Sequence, residues 1–389
     1  MRKITFLTGH SWESNRLGGF HQFAKAACEQ GLEVVFFSFP RPYYSFFMHQ
    51  ELYNRKSIRT LEKGILYDVG KSTLLNITLP TFKLPNKANK FLSDEMMNCL
   101  ERLSLKSFRK FALRYFSGSD AFVFESCDGM IFLDQIKSLF PAAKIVYRPS
   151  DPLMYDGALS RYVANETRMV LGADINLIVN DEGLELYRRK IPEFDEKVRY
   201  EILSNGVDIA SYEKSYPCPE LLKKPNTVLY VGAWDVEWNL LFLAAEKMPE
   251  CNFVVVLPNY PSPEIQRKAS ETKNLFYVPG IRPDEVPSWI TNCSVVMVPY
   301  VTDFYKNRPL GITAKYYQAM AAKKPIVSYC DTPKLKEAGV CVTYTYEDFM
   351  DGVRSALLKK SCGYVFNLSD RKWENITKRF LEIVGGENV

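Results

Sequence analysis

The chain has little histidine, 3 residues in 389, and its 9 cysteines are scattered. No two of them form a Cys-x-x-Cys pair, which argues against a structural zinc site and leaves little material for a metal centre. An odd number of dispersed thiols also argues against a disulfide framework and for a reducing, cytoplasmic compartment. No apolar run approaches the ~18 residues needed to span a bilayer. The opening "MRKITFLTGHSW" turns polar too soon for a signal peptide and reads as a first buried strand. Missing after that strand is the Gly-x-Gly-x-x-Gly turn of a nicotinamide site. The loop "TGHSWESNRLGGF" is longer and polar, with a Gly18–Gly19 pair.

What remains is an ordinary globular composition, 47% hydrophobic and 24% charged. A chain of 389 residues is too long for one compact core, so two domains are expected. The net charge of +5 is unevenly placed: residues 41–118 hold 14 Lys/Arg against 6 Asp/Glu, with 12 aromatic residues among them. Such a mixture suits an anionic membrane surface, where rings enter the interface and cations meet phosphates. It would also suit single-stranded nucleic acid, and a solvated basic face over an aromatic core stands beside both. In "SFRKFALRYF" (107–116), Phe108, Phe111, Ala112 and Tyr115 share a helical stripe, the usual mark of core. Arg109, Lys110 and Arg114 lie on the other side.

"KITFLTG", "GGFHQFAKAACEQG" and "LEVVFFSF" read as strand, helix and strand, a βαβ beginning that implies a parallel sheet. "AFVFES" (121–126), "AKIVYR" (143–148), "INLIVN" and "RYEILSN" continue the strands, with amphipathic helices between. The proline-rich stretch after Asn205 lacks periodicity and reads as a linker. A second alternating series follows: "TVLYVG", "NFVVVLP", "NLFYVP", "SVVMVPY", "PIVSY" and "VCVTY". The expected fold is therefore α/β with two Rossmann-like domains facing an interdomain cleft. Residues 1–205 would bind acceptor and 206–370 a nucleotide sugar, with 371–389 forming a helix that packs back on the N-terminal domain. Ligands in such sheets bind beyond the carboxyl ends of the strands.

Particular turns narrow the function. "GGFHQFAKAACEQGLEVVFFS", "LSNGVD" and "KYYQAMAAKKPIV" resemble elements of the GT-B glycosyltransferases. The ordered set "FLTGH", "YRPSD", "VPY" and "KYYQAMAAKKPIV" resembles, more specifically, the GumK-like glucuronosyltransferases, membrane-associated inverting enzymes of bacterial exopolysaccharide synthesis. The resemblance implies that Asp151, framed by Pro149 and Pro152, is a general base. It also implies a nucleotide pocket built from Tyr300, Lys315 and Gln318. An acceptor hydroxyl must lose its proton as it attacks the anomeric carbon, and a carboxylate in reach can take it. The departing UDP gathers negative charge, which Lys315 and the amides opening its helix can offset.

His10 is the rival base, because some GT-B enzymes use a histidine at the end of the first strand. Glu125 and Arg148 are further acceptor-side candidates, with a solvated strand end and an internal ion pair as their plain readings. His21 is expected to pack within its helix turn. A glucuronate carboxylate would need a cation, for which Lys306, Arg308 and Arg282 are available. Retaining GT-B relatives carry a cationic pair after the first strand of the second domain and two glutamates spaced E-x7-E. Here "VGAWDVEWN" lacks the cation, and Leu310 and Gln318 stand at the glutamate positions, which favours inversion.

The implied reaction moves a sugar from a UDP-sugar donor to a polyprenyl-diphosphate-linked saccharide, with no metal or other cofactor. The implied location is cytoplasmic, held to the inner face of the plasma membrane through residues 41–118, with no nucleic acid as partner. A UDP-sugar epimerase of the same fold and a non-catalytic sugar-nucleotide-binding protein are the alternatives.

Overall fold

The computed structural model describes residues 1–13, 17–42, 63–81, 84–85, 91–103, 108–258, 261–301, 311–359 and 361–386. The chain divides into two compact units, one of Met1–Ser204 with Glu374–Val389 and one of Asn205–Trp373.

The first unit contains β1 (Lys3–Thr8), α1 (Gly19–Glu29), β2 (Glu33–Pro42), β3 (Ile65–Val69), β4 (Ser72–Thr81), α2 (Asp94–Leu103) and α3 (Phe108–Tyr115). It continues with β5 (Ala121–Phe124), α4 (Leu133–Leu139), β6 (Lys144–Tyr147), α5 (Ser160–Gly172), β7 (Ile175–Ile178), α6 (Asp181–Lys190) and β8 (Tyr200–Ile202). The second holds β9 (Thr227–Val231), α7 (Trp238–Lys247), β10 (Asn252–Val256), α8 (Pro263–Glu271), β11 (Leu275–Val278), α9 (Val286–Asn292) and β12 (Val295–Pro299). After it come α10 (Ala314–Ala321), β13 (Ile326–Tyr329), β14 (Cys341–Thr343) and α11 (Tyr346–Leu357), and the closing α12 (Trp373–Gly385) belongs from Glu374 onward to the first unit.

The two sheets run β3-β4-β2-β1-β5-β6-β7-β8 and β11-β10-β9-β12-β13-β14. Every pairing is parallel except β3 with β4. Central strands such as β5 are buried along their whole length, because helices cover both faces of a parallel sheet. In the first sheet the winding direction changes between β1 and β5; in the second it changes between β9 and β12. At such a switch point adjacent loops leave in opposite directions and open a crevice beyond the strand ends.

Two features depart from the sequence reading, and the aromatic stripe of α3 agrees with it. The basic segment contains an antiparallel hairpin, β3–β4, which adds two strands to the first sheet. Its turn is at Gly70, φ 59°, where a Cβ would stand 2.9 Å from Glu29 Cγ, so both conformation and space demand glycine. The stretch after Asn205 is not a free linker: Val207, Tyr212 and Leu222 are buried in the second unit's core. The aromatic stripe of α3 is core, with Phe108 stacked on Phe132 at 4.2 Å and Phe111 against Phe37 at 5.4 Å. In α12, Phe380 stacks on Phe23 at 4.4 Å and on Phe6 at 6.1 Å.

Candidate active site

At the switch point of the first sheet, three strand ends meet on one carboxylate. Glu125 follows β5 and is 4% exposed. Its Oε2 accepts from the Thr8 hydroxyl and, at 2.9 Å, from the Gly9 amide, both at the exit of β1. Its Oε1 accepts from the Ser150 hydroxyl beyond β6 and lies 3.2 Å from His10 Nε2. Burial alone would raise its pKa. The His10 charge and the hydrogen bonds from His10, Ser150 and Thr8 outweigh burial and lower the pKa to about 2. Glu125 is therefore neither solvated nor a chance strand end; it is the pin of the cluster.

His10 keeps 31% of its side chain exposed while bound to this carboxylate. Gly18 is part of the same fit, since a Cβ there would stand 3.0 Å from His10 Nε2. His21 sits behind. Its Nδ1 accepts from the Gly18 amide at 3.1 Å and its Nε2 donates to Ser11 O at 2.9 Å, which fixes a neutral tautomer. Burial lowers its pKa to about 4. His21 caps α1 in this arrangement.

Asp151 follows Ser150 and is half-buried. Arg148, three residues earlier, is 1% exposed. It lies over the Phe23 ring at 5.5 Å and donates to Pro149 O at 2.7 Å and Leu203 O at 3.3 Å. A side chain so enclosed faces the interior of the first unit, closer to the plain reading of Arg148 as an internal cation than to an acceptor-side contact. Burial lowers its pKa to about 10, and the nearby Glu125 and Asp151 charges oppose that shift. The cation thus supplies a fixed positive field beneath both carboxylates.

Sequence reasoning missed Glu166. It is fully buried in α5 and accepts from Tyr147 and Tyr187 hydroxyls at 2.6 and 2.8 Å and from the Leu153 amide at 2.7 Å. The available signal was a lone acid inside an otherwise amphipathic helical stretch, which is weak.

The second unit has its own cluster at the β9/β12 switch point. Lys315, in the first turn of α10, donates to the Tyr300 hydroxyl at 2.7 Å. Its ammonium stands 4.6 Å over the Tyr300 ring and 5.2 Å over Tyr230. Tyr300 is 1% exposed, so its ring is enclosed and offers no open face for a base. Tyr230 donates to Trp234 O at 2.7 Å, pinning the loop after β9. In that loop Asp235 accepts from the Val236 amide and Trp238 Nε1. The neighbouring Tyr316 is held by Ser328 and Asp331, which locks the start of α10. Gly311 enters this turn with φ 62°. The Thr313 hydroxyl is buried without a hydrogen-bond partner at the helix N-terminus. Gln318, one turn on from Lys315, is half-buried.

Lys306, Arg308 and Leu310 lie outside the described residues, as does much of residues 41–118. Arg282 is an exposed surface cation neutralised by Asp284 and Glu285 on its own loop. Among the described residues, no group of three or more His, Cys, Asp or Glu side chains is placed to hold a metal ion. Among them, too, no helix is long and apolar enough to cross a membrane.

Two parallel-sheet units, each with its cluster at a switch point, are the architecture of a GT-B glycosyltransferase. The overall fold matches sucrose-phosphate synthase from Thermosynechococcus elongatus with a TM-score of 0.71 at 13% identity, covering 98% of each chain. It matches an alpha,alpha-trehalose-phosphate synthase (UDP-forming) from Burkholderia vietnamiensis with a TM-score of 0.66 at 12% identity, covering 99% of this chain and 98% of that one. No curated protein matches the chain. Family models are more specific. The N-terminal domain of glucuronosyltransferase GumK matches residues 6–179, and glycosyl transferases group 1 matches residues 225–358. The two matches, one in each unit, support a GumK-like glycosyltransferase of the GT-B superfamily.

Proposed function

We propose that this protein is an inverting glycosyltransferase that moves a sugar, glucuronate being the leading choice, from a UDP-sugar to a polyprenyl-diphosphate-linked saccharide in exopolysaccharide or capsule synthesis. The observation that carries the reading is the Lys315–Tyr300 cluster at the start of α10. A rigidly held ammonium and an unsatisfied Thr313 hydroxyl stand beside free helix amides, a setting that suits a diphosphate.

In the proposed step the acceptor oxygen attacks the anomeric carbon while the bond to the UDP oxygen breaks. UDP leaves with the bonding electrons, and Asp151 takes the hydroxyl proton. Gln318 would bond ribose or base. Lys306 and Arg308 are proposed to meet a donor carboxylate. A second reading of the base is favoured by a specific contact: His10 is oriented by buried Glu125, the pairing by which a carboxylate stabilises an imidazolium. Inversion is supported by the missing glutamate at Gln318 and the missing cation in the Gly232–Asp235 loop. One fold neighbour, a trehalose-6-phosphate synthase described as transferring a glycosyl group with retention, is 11% identical and bears on fold alone.

Membrane docking is proposed for the basic segment. Phe91, Met96, Leu103 and Leu113 are exposed in the stretch that also carries exposed Arg102, Arg109, Lys110 and Arg114. The buried Arg161–Glu101 pair, 3.0 Å, ties α2 to α5 beneath it. Thermal-shift screening of UDP-glucuronate, UDP-glucose, UDP-galactose and UDP-N-acetylglucosamine tests the reading, because a bound donor stabilises by mass action. A shift with at least one of them is expected; no shift with any, or with UDP itself, contradicts it.

A further inference from the structure

We propose that Glu166 is a positioning residue that holds the turn bearing Asp151 in its working shape, an inference that rests on the reading of Asp151 as the base. The geometry is a staple. Tyr147 is the last residue of β6, and Leu153 lies six residues further along the chain. Both are bound to one carboxylate, Tyr147 Oη to Oε1 at 2.6 Å and the Leu153 amide to Oε2 at 2.7 Å. The segment between them contains Arg148, Pro149, Ser150, Asp151 and Pro152. Its ends are therefore closed on Glu166 while Ser150, in the middle, is fixed by Glu125. The two prolines remove most of the backbone freedom that remains. Asp151 is the ionisable group in this loop that is not enclosed, at half-buried against 1% exposure for Arg148.

The chemistry of the anchor is specific to a carboxylate. Its two sides both receive donors: hydroxyls of Tyr147 and Tyr187 on one oxygen, backbone N–H on the other. A glutamine has one acceptor and one NH2 group. Keeping the tyrosine bonds would turn its NH2 toward the Leu153 N–H, donor against donor. A buried carboxylate is an expensive way to support a loop, since desolvation opposes its charge. Burial indeed raises the Glu166 pKa to about 7 despite these hydrogen bonds. Simple packing would be met by an apolar residue at lower cost, whereas holding both ends of one short loop requires two acceptor oxygens on one side chain.

The test compares Glu166→Gln with Tyr187→Phe and Asp151→Asn in the full chain. Turnover is measured with the four UDP-sugars named above and a lipid extract of the source cells, and UDP binding by calorimetry. Glu166→Gln is expected to lower kcat by about 100-fold, the scale for a misplaced group. KM for the donor and UDP affinity should stay within about twofold of wild type. Tyr187→Phe, which spares the Leu153 bond, should keep kcat within about threefold. The double variant Asp151→Asn/Glu166→Gln should be no slower than Asp151→Asn alone, because a positioning residue acts only through the group it positions. Wild-type kcat in Glu166→Gln beside an inactive Asp151→Asn overturns the proposal and leaves the base intact. Equal losses in Glu166→Gln and Tyr187→Phe that track a fall in Tm reduce Glu166 to packing and also overturn it. Full turnover in Asp151→Asn, or none by wild type on any donor, overturns the base reading and the inference with it.

Discussion

His10 Nε2 stands 3.2 Å from Glu125 Oε1, an imidazole at the end of β1 joined to a buried carboxylate at the end of β5. The contact bridges the point where the first sheet reverses its winding. The same carboxylate accepts from the Ser150 hydroxyl, so one group holds His10 and the residue that precedes Asp151.

Replacing Glu125 by alanine should therefore be severe. It would leave the Thr8 and Ser150 hydroxyls and the Gly9 amide without their acceptor in a buried site. Removing one member of a buried ionic network costs about 3–5 kcal/mol. Urea unfolding followed by circular dichroism checks this; a loss under about 1 kcal/mol would show that the cluster relaxes freely.

The acid limb of stability should carry the same signature. Glu125 is held near pKa 2 in the folded chain against 4.5 for the free side chain. A depressed carboxylate pKa gives stability that is fully present above about 4.5 and lost as pH falls toward 2. The contribution is on the order of 3 kcal/mol. Wild type should thus lose more stability than Glu125→Gln between these limits, and parallel curves would contradict the assignment. Glu166 has the opposite sign, with a pKa raised to about 7. Its burial weakens the fold as pH rises from 4.5 through 7.

In the second unit, Lys315→Ala should weaken UDP binding by about 10- to 100-fold, the worth of one charge-assisted hydrogen bond. Tyr300→Phe keeps the enclosed ring and removes only the acceptor of Lys315 Nζ, so a loss of about fivefold or less is expected. Calorimetry with UDP distinguishes them. Unchanged affinity in Lys315→Ala would remove that residue from the pocket.

Arg109, Lys110 and Arg114 are exposed while the opposite stripe of α3 is packed in the core. Their triple reversal to glutamate should leave the fold intact and release the protein from vesicles containing phosphatidylglycerol. Each basic residue near such a surface is worth about 1 kcal/mol. Equal flotation of wild type and variant with anionic and neutral vesicles would contradict docking by this helix.

Much of this fold was legible because parallel strands buried on both faces leave unbroken apolar runs such as "AFVF" and "SVVMVP". The β3–β4 hairpin escaped because its strand β3 alternates buried and exposed positions in a segment dominated by charge, and charge drew the reading toward surface. Tyr300 and Lys315 were proposed from the resemblance to the GumK-like family, one on a strand exit and one on the following helix. Their mutual hydrogen bond was not foreseen, since the setting of Tyr300 includes the loop after β9, which accepts from Tyr230 at Trp234 O and bridges Tyr300 at Val236. The enclosure of Arg148 was hidden for a similar reason: a cation at a strand exit normally reaches solvent, and here it lies over Phe23 and donates to two backbone carbonyls. Glu166 could not be located from the sequence, because its partners come from β6, α6 and the turn beyond β6.

The proton acceptor is the centre of the account, and one paired assay reaches it most directly. Sugar transfer and UDP binding are measured side by side on Asp151→Asn, with His10→Ala as the comparison. Transfer falling by about 100-fold or more in Asp151→Asn, with UDP affinity unchanged, is the predicted result. Retained transfer in Asp151→Asn alongside its loss in His10→Ala would contradict it and pass the role to the imidazole.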